Sequence, residues 1–407
     1  MRILLLSQWC YPEPGPRVHE LADGLARRGH QVVLVTGFPT YPESRFYDGY
    51  RPAIYRRDSY GEAEILRLPH FPHGAKSVFK RILNYSSFML SVIGIGSWRT
   101  KPVDCMYVFL PPPTTGLAAC FLSLVKRVPF LCDVQDIWPE AVVASGMMRE
   151  GRAAKAISAV QKFLYARATR IAVPSPGYRK NLIGKGVSPD KIEVVPNWAD
   201  TEVYRPARYD EELAGKLGLK GGFNVVFAGN LGILQALDTV IAAADRLREN
   251  PDIRFVFAGS GVEESRLRSV AEERGLRNVH FLGRLPHEQM AKIYSIADVL
   301  LVHLKKAPLF EITIPSKTLA YLACAKPLLM AVEGDAADLI DSTGAGLSCP
   351  PEDASALAAA VKTLYEMPAD RRRTMGVAGR EYFLEHFTLD IVAGTYERLL
   401  RGICRSP

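Results

Sequence analysis

The sequence predicts an α/β protein made of two doubly wound parallel-sheet domains, and three observations predict it. Short runs rich in β-branched and other apolar residues alternate with helix-length segments along the chain, the signature of strand–helix–strand units. The alternation stops at the turn Pro196-Asn197-Trp198-Ala199-Asp200 and a charged stretch at 204–220, then starts afresh at Asn224. With 407 residues, 48% of them hydrophobic and 23% charged, the chain can bury two cores.

In the first half, strands are expected at 2–7, 31–36, 105–110, 130–133 and 171–174. In the second half they are expected at 224–229, 255–258, 280–281, 299–302 and 328–331, with helices between them. The boundary falls near 205, which gives domains at 1–204 and 205–385. Residues 371–401 read as helices broken near His386-Phe387-Thr388, where Thr388 can cap the last helix. In open α/β sheets ligands bind beyond the carboxyl ends of the strands, so the chemistry is expected in the loops that follow them.

Composition excludes several classes. Seven scattered cysteines lack zinc-site spacing, which suits a reducing, cytoplasmic setting. Residues 1–7 are strand-like, with too short an apolar run for a signal peptide, and no stretch reaches the eighteen or so apolar residues of a membrane span. The net charge of +8 is unevenly shared: residues 1–200 hold 26 Lys and Arg against 16 Asp and Glu, whereas residues 201–407 hold 25 against 27. A basic first half suits an anionic ligand or lipid surface. Nucleic acid is not expected, because the basic residues are spread over many elements without a recognition motif. No GxSxG, HExxH or Walker lysine motif is present, and neither residues 7–17 nor the turn Gly259-Ser260-Gly261 supplies the GxGxxG of a dehydrogenase.

Four segments carry candidate chemistry. Gly229-Asn230-Leu231-Gly232 joins a strand to a helix at 236–248, where backbone N–H groups can meet a phosphate; a turn needing glycine for geometry alone reads the same way. In Pro308-Leu309-Phe310-Glu311-Ile312-Thr313-Ile314-Pro315-Ser316-Lys317, Pro315 and Ser316 fit a helix start. Lys317 in that first turn has the wrong sign for the helix dipole unless an anion sits there too. This outlines a diphosphate site at Ser316 and Lys317, with the Glu311 carboxylate beside it. Glu333 and Asp335 follow the next strand at the same edge. In the first half, Asp133, Asp136, Trp138 and Glu140 bring carboxylates and an indole together, suited to accepting sugar hydroxyls, stacking on a pyranose and taking a proton; a core tryptophan with capping acids is the alternative. Glu13, Gly15 and Arg17 lie between the first strand and the first helix, where Gly15 and Arg17 are expected to line the cleft, Arg17 as a phosphate or carboxylate ligand. The basic 70–85 stretch leading into apolar 88–95 suits attachment to an anionic bilayer surface, and a buried domain helix reads similarly.

Taken together, Tyr11-Pro12-Glu13, Gly37-Phe38-Pro39-Thr40-Tyr41-Pro42, Gln135-Asp136-Ile137-Trp138-Pro139-Glu140, Val195-Pro196-Asn197-Trp198, Ala228-Gly229-Asn230-Leu231-Gly232 and residues 310–317 resemble the retaining glycosyltransferases of family four. Within that family the chain is most similar to bacterial enzymes of O-antigen and capsule assembly that include N-acetyl-L-fucosaminyltransferases. The resemblance implies the GT-B fold, two Rossmann-like domains facing a cleft, with a C-terminal helix at 386–407 crossing back to the first domain. It implies transfer from a nucleotide sugar, expected to be a UDP-sugar, to a polyprenyl-diphosphate-linked saccharide, without metal or other cofactor, at the inner face of the cytoplasmic membrane. Gly15, Arg17, Gly229, Asn230, Leu231, Gly232, Gln235, Ser316, Glu333 and Asp335 are then expected on the donor, and Glu13, Trp138 and Glu140 on the acceptor. Glu311, Lys317 and Asp136 are expected at the reacting groups.

The chain departs from the family pattern at informative places. The two glutamates that members usually carry eight positions apart would fall at Ile312 and Ala320, so Glu311 stands in for the first and the second has no counterpart. The diphosphate-binding Arg and Lys would fall at Asn230 and Gln235, which leaves Lys317 to supply the missing charge. A non-catalytic sugar-nucleotide-binding module and a sugar-nucleotide epimerase or hydrolase are the other functions this architecture suits.

Overall fold

The computed structural model describes residues 1–405 except Pro16, residues 73–76, Ser145, Met147, Glu150 and residues 287–288, with Arg405 as backbone alone. Two compact units emerge: Met1–Val195 with Leu389–Pro407, and Pro196–Thr388. The divisions expected from sequence lie after 204 and after 385.

The first unit runs β1 (Arg2–Leu6), α1 (Val18–Arg27), β2 (Gln31–Gly37), β3 (Arg56–Tyr60), β4 (Ala63–Leu68), α2 (Val78–Ser91), a π-helical turn at Val92–Gly96, α3 (Ser97–Arg99), β5 (Cys105–Leu110), α4 (Pro113–Lys126), β6 (Phe130–Val134), α5 (Glu140–Ala144), α6 (Arg152–Arg167), β7 (Arg170–Val173), α7 (Pro176–Gly184) and β8 (Ile192–Val194). Its sheet has the order β3-β4-β2-β1-β5-β6-β7-β8, parallel except for the antiparallel β3–β4 hairpin. Helices cover both faces, so the central strands are buried throughout, as in Ile3-Leu4-Leu5-Leu6. The hairpin is not predicted by the alternation, because β3 reads Arg-Arg-Asp-Ser-Tyr and β4 carries Arg67 inward. The fold accommodates that arginine by pairing it with Asp58 at 2.6 Å and with the Tyr11 carbonyl at 2.7 Å.

The second unit runs α8 (Glu211–Lys216), β9 (Phe223–Ala228), α9 (Asp238–Arg246), β10 (Ile253–Ala258), α10 (Glu264–Glu273), β11 (Val279–Gly283), α11 (Met290–Ser295), β12 (Val299–His303), α12 (Pro308–Glu311), α13 (Ser316–Ala323), β13 (Leu328–Ala331), α14 (Asp335–Thr343), β14 (Gly346–Cys349), α15 (Ala354–Glu366) and α16 (Ala369–His386). Its six parallel strands have the order β11-β10-β9-β12-β13-β14. Five match the predicted runs; β14, four residues long, does not stand out in the sequence.

After the predicted break at 386–388, α17 (Leu389–Arg405) packs on the first unit. It is held there by burial and by a shared carboxylate. Val392, Ala393, Tyr396, Leu400 and Ile403 are buried. Tyr396 meets Tyr107 of β5 edge to face at 5.2 Å, and both hydroxyls bond to Asp133 of β6, which also accepts from Gln135 Nε2 at 2.9 Å. At the helix surface Glu397 bonds Arg401 at 2.8 Å and His30 at 2.9 Å, which hold its carboxyl down at about 2. Among the described residues no helix is long and apolar enough to cross a membrane.

Asp133 therefore serves packing, which corrects the reading that grouped it with the sugar-facing acids. Burial pushes its pKa up to about 6 against hydrogen bonds from Tyr107, Gln135 and Tyr396. Because the folded value lies above the ordinary 3.8, its contribution to stability is full below pH 3.8 and is lost as pH rises through about 6. Asp133→Ala, which leaves two tyrosine hydroxyls without their acceptor, is expected to cost about 3 kcal/mol of unfolding free energy and to flatten that pH dependence, as read by urea denaturation.

Candidate functional site

In the second sheet the strand order reverses between β9 and β12, so the loops after these two strands open onto one crevice at the sheet edge. β9 breaks into Gly229-Asn230-Leu231-Gly232, where Gly229 takes φ +130° and donates its N–H to the Ala258 carbonyl at 2.9 Å. The turn after β10 presses against it: a Cβ on Gly259 would lie 1.8 Å from the Gly229 carbonyl oxygen, so only glycine permits the approach. From the other side comes Lys317, in the first turn of α13. Its Nζ lies 3.6 Å from the centroid of the Phe227 ring and 3.2 Å from where a Cβ on Gly229 would sit.

The Lys317 ammonium is buried and, among the described residues, has no hydrogen-bond partner. The ring face offers it roughly 1–2 kcal/mol, less than the several kcal/mol of hydration a buried cation gives up. Burial accordingly pushes its pKa down to about 7. The neighbouring Thr318 hydroxyl is also buried without a partner among the described residues. An anion at this place would meet a cation, the N-terminal end of a helix and a glycine turn with no side chain in the way.

Tyr321, one helical turn after Lys317, fixes this geometry. Its hydroxyl accepts from the Ala228 N–H at 2.9 Å and donates to the Ala228 carbonyl at 3.2 Å, tying α13 to the last residue of β9. Sequence reasoning missed it; its i+4 spacing from Lys317 was the available signal. Glu311 ends α12 in an exposed position, and its carbonyl lies against Gly334, where a Cβ would come within 1.9 Å. The structure thus brings Glu311 beside the turn Glu333-Gly334-Asp335. Glu333 reaches Lys306 at 3.5 Å, Asp335 opens α14, and Ser316 opens α13 exposed. Gly229 and Asn230 are exposed at the tip of the β9 turn, whereas Gly232 is buried at its base.

Two donor-side expectations are corrected here. Leu231 is fully buried in the core, and its N–H is taken by the Ser260 carbonyl at 2.9 Å, so neither faces a ligand. Gln235 turns back on its own turn: its Oε1 accepts from the Gly232 N–H at 3.2 Å and its carbonyl accepts from His303 Nδ1 at 2.7 Å. It positions the glycine turn.

In the first unit, Asp136 opens to solvent after β6 yet stands among neighbours crowded enough that partial loss of hydration raises its pKa. An aromatic group unassigned by sequence gathers near it. Trp9, after β1, lies 6.4 Å from Tyr41 and 5.9 Å from Tyr85 of α2. The Tyr85 pKa is raised by burial, with Tyr41 and Asp136 adding to the shift and Arg81 opposing it. Trp138 is half-buried, and Glu140 is paired with Lys185 at 2.6 Å.

Glu13 corrects another expectation. It is buried, with Oε2 accepting from the Cys10 N–H at 3.3 Å and Oε1 accepting from the Thr40 and Tyr41 N–H groups at 2.7 and 2.8 Å. Burial pushes it up to about 7 despite these bonds. It clamps the loop that carries Tyr41, with no face left for an acceptor. Arg17 is likewise engaged, held by both oxygens of Glu20 at 2.6 Å. Gly15 is exposed in the same loop at φ +143°, and Pro16 lies outside the described residues. Among the described residues no group of three or more His, Cys, Asp or Glu is placed to hold a metal ion.

Comparison with known proteins matches these two units. A glycosyl transferase 4-like domain model matches residues 13–198, and a model of glycosyl transferases group 1 matches residues 210–382. The chain is 26% identical over 365 residues to WcaI of Escherichia coli K12, named as a colanic acid biosynthesis glycosyl transferase, covering 87% of this chain and 89% of that one. Among solved structures, sucrose-phosphate synthase from Thermosynechococcus elongatus aligns with TM-score 0.76 at 20% identity over 98% of each chain. HepE of Anabaena, in complex with UDP and glucose, aligns with TM-score 0.71 at 16% identity over 98% of this chain and 99% of that one. The structural likenesses establish the fold, and the two domain models, spanning most of both units, establish the family: the chain belongs to the group 1 glycosyltransferases of GT-B fold.

Proposed function

We propose that the protein moves a sugar from a UDP-sugar to a polyprenyl-diphosphate-linked saccharide in the assembly of a bacterial surface polysaccharide, with retention at the anomeric carbon. The observation that carries this reading is the buried, unpartnered Lys317 ammonium at the start of α13 beneath the Gly229 turn, a place that suits a diphosphate. A relative named for colanic acid biosynthesis and a fold neighbour solved with UDP and glucose support it. N-acetyl-L-fucosamine, from the sequence resemblance, is the first donor sugar to test.

In this mechanism the bond between the anomeric carbon and the diphosphate oxygen breaks as the acceptor oxygen enters from the same face. Lys317 and the first N–H groups of α13 stabilise the charge that develops on the diphosphate. Glu311 faces the sugar, with Ser316, Asn230, Glu333 and Asp335 at the rim of the donor site. Asp136 orients the acceptor hydroxyl, whose proton passes to the departing phosphate, and Trp9, Tyr41 and Tyr85 offer apolar faces to the acceptor sugar. The countercharge comes from the protein, so transfer is metal-independent and survives a chelator. A lipid-diphosphate acceptor places the enzyme at the cytoplasmic face of a membrane.

Lys317→Met is expected to weaken UDP binding by about 2–3 kcal/mol, roughly 30- to 150-fold, with the circular dichroism spectrum unchanged. Unchanged affinity would remove Lys317 from the site. Gly229→Ala, which sets a methyl 3.2 Å from Nζ on a backbone that favours glycine, is expected to weaken UDP binding as well. In turnover, UDP-, GDP- and dTDP-sugars are offered with and without a polyprenyl-diphosphate-linked sugar, in the presence of EDTA. Nucleotide release that needs both substrates and adds one sugar in the donor's anomeric configuration is expected. Release without acceptor would point to a hydrolase, and binding without release under every pairing to a non-catalytic module.

A further inference from the structure

Helix α2 divides its residues between two environments. Toward the body of its unit it buries Asn84 and Phe88, and Asn84 is bonded to Gln8 Nε2 after β1 and to the Phe71 carbonyl, both at 2.6 Å. Away from the body it exposes Val78, Phe79, Ile82, Leu83 and Leu90, Phe79 by 75% and Leu90 by 62%. At ~100° per residue these five share one arc of about 140°. α4 packs beside α2 and repeats the pattern, burying Ala118, Ala119 and Leu122 while exposing Phe121, Leu124 and Val125. Lys126, ending α4, donates to the Ser97 and Thr100 carbonyls at 3.1 Å each, so Trp98, 90% exposed on α3, stands beside the end of α4.

Eight large apolar side chains exposed on two packed helices, with Trp98 beside them, mark an interface, since each one left in water forgoes about 1.5–3 kcal/mol of burial. Charge selects the occupant. From residue 68 to residue 132 the chain holds seven Lys and Arg and one acid, Asp104, which is itself paired with Arg2 at 2.8 Å. Lys80, Arg99, Lys101 and Arg127 are exposed. A second copy meeting this face symmetrically would set cation against cation. An anionic bilayer offers hydrocarbon to the centre and phosphate to the basic residues.

We infer that the outward faces of α2 and α4, with Trp98 beside them, form a monotopic surface that sinks into the boundary between headgroups and acyl chains of an anionic bilayer. The sequence alone pointed to the 70–98 segment, of which His73-Gly74-Ala75-Lys76 lie outside the described residues. The structure adds α4 as a second inserting helix. Tyr85, on the same α2, lies close enough to Asp136 for the two to interact electrostatically, so the helix that meets the lipid also neighbours the proposed acceptor site. The inference stands on exposure and charge within one unit and needs neither donor nor turnover.

The test floats the full-length protein with vesicles of phosphatidylcholine alone and of phosphatidylcholine mixed with phosphatidylglycerol, at low and high salt. Binding to the mixed vesicles is expected, weakened at least about tenfold by high salt. The Trp98 emission, isolated as the difference from a Trp98→Phe variant, should shift to the blue on binding and be quenched by brominated acyl chains. Phe79→Ser with Leu90→Ser is expected to lose vesicle binding roughly tenfold or more while keeping UDP affinity and the thermal unfolding midpoint. Leu124→Ser with Val125→Ser supplies the same reading from α4 if the first pair fails to fold. Equal binding to both vesicle types, an unmoved Trp98 spectrum or apolar variants that bind like the parent would overturn the proposal. Dimerisation abolished by these variants, with no vesicle binding, would assign the face to a second copy. Because vesicle binding is read without turnover, its failure leaves the transferase reading standing, and loss of turnover leaves the surface standing.

Discussion

In the second unit a lysine is kept out of water beneath a glycine turn, where no described residue pairs with it. Lys317 has the Phe227 ring on one side and the bare Gly229 backbone on the other. Two features there are unfavourable when the site is empty: a cation without hydration, and a cation at the positive end of a helix dipole. Both become favourable when an anion arrives. Much of the local architecture serves this arrangement. Gly259 lets two turns touch, Tyr321 ties the helix to the strand end, and Gln235 folds back to hold the turn open. Under the proposed function that anion is the diphosphate leaving group, and the first turn of α13 carries a lysine suited to meet it.

The first unit is organised by carboxylates that the fold consumes internally. Asp133 joins α17 to β5 and β6 through two tyrosine hydroxyls, and Glu13 joins the loop after β1 to the loop after β2 through three backbone N–H groups. These buried acids settle where Tyr41 and the strand ends lie, and so shape the aromatic group of Trp9, Tyr41 and Tyr85 near Asp136. Asp136, by contrast, stays exposed after β6, which suits the acceptor role proposed for it.

Much of this was legible in the sequence. Buried parallel strands are continuous apolar runs, and the turn at 229–232, the helix start at Pro315-Ser316 and the break at 386–388 carry local signals that need no tertiary information. What was not legible depends on partners distant in the chain. Nothing local in Tyr-Pro-Glu-Pro-Gly-Pro-Arg tells that Glu13 is engulfed by N–H groups some 27 residues on, or that Arg67 turns inward toward Asp58. Arg17 looked like a phosphate ligand, although Glu20, three residues on, was a visible competitor. Leu231 sits in a glycine turn whose sequence reads as ligand-facing, yet its side chain points into the core. Tyr321 reads as one more apolar helix residue until its hydroxyl is seen on Ala228. The outward face of α4 reads as core, because residue type alone does not tell which side of an apolar helix is covered.

If the Lys317 ammonium meets the donor diphosphate, UDP binding carries a proton with it. In the empty site Lys317 titrates at about 7, below the ordinary 10.5, so at pH 8 most of it is neutral. A bound diphosphate favours the ammonium and raises that value, so binding must take up a proton, and affinity must fall as pH rises above about 7. Phosphate ionisation, near pH 6, is complete at pH 8 and does not contribute. Calorimetry of UDP binding at pH 8 in buffers of different ionisation enthalpy should therefore show uptake approaching one proton, absent in Lys317→Met. No uptake at pH 8, with affinity flat from pH 7 to 9, would contradict the account.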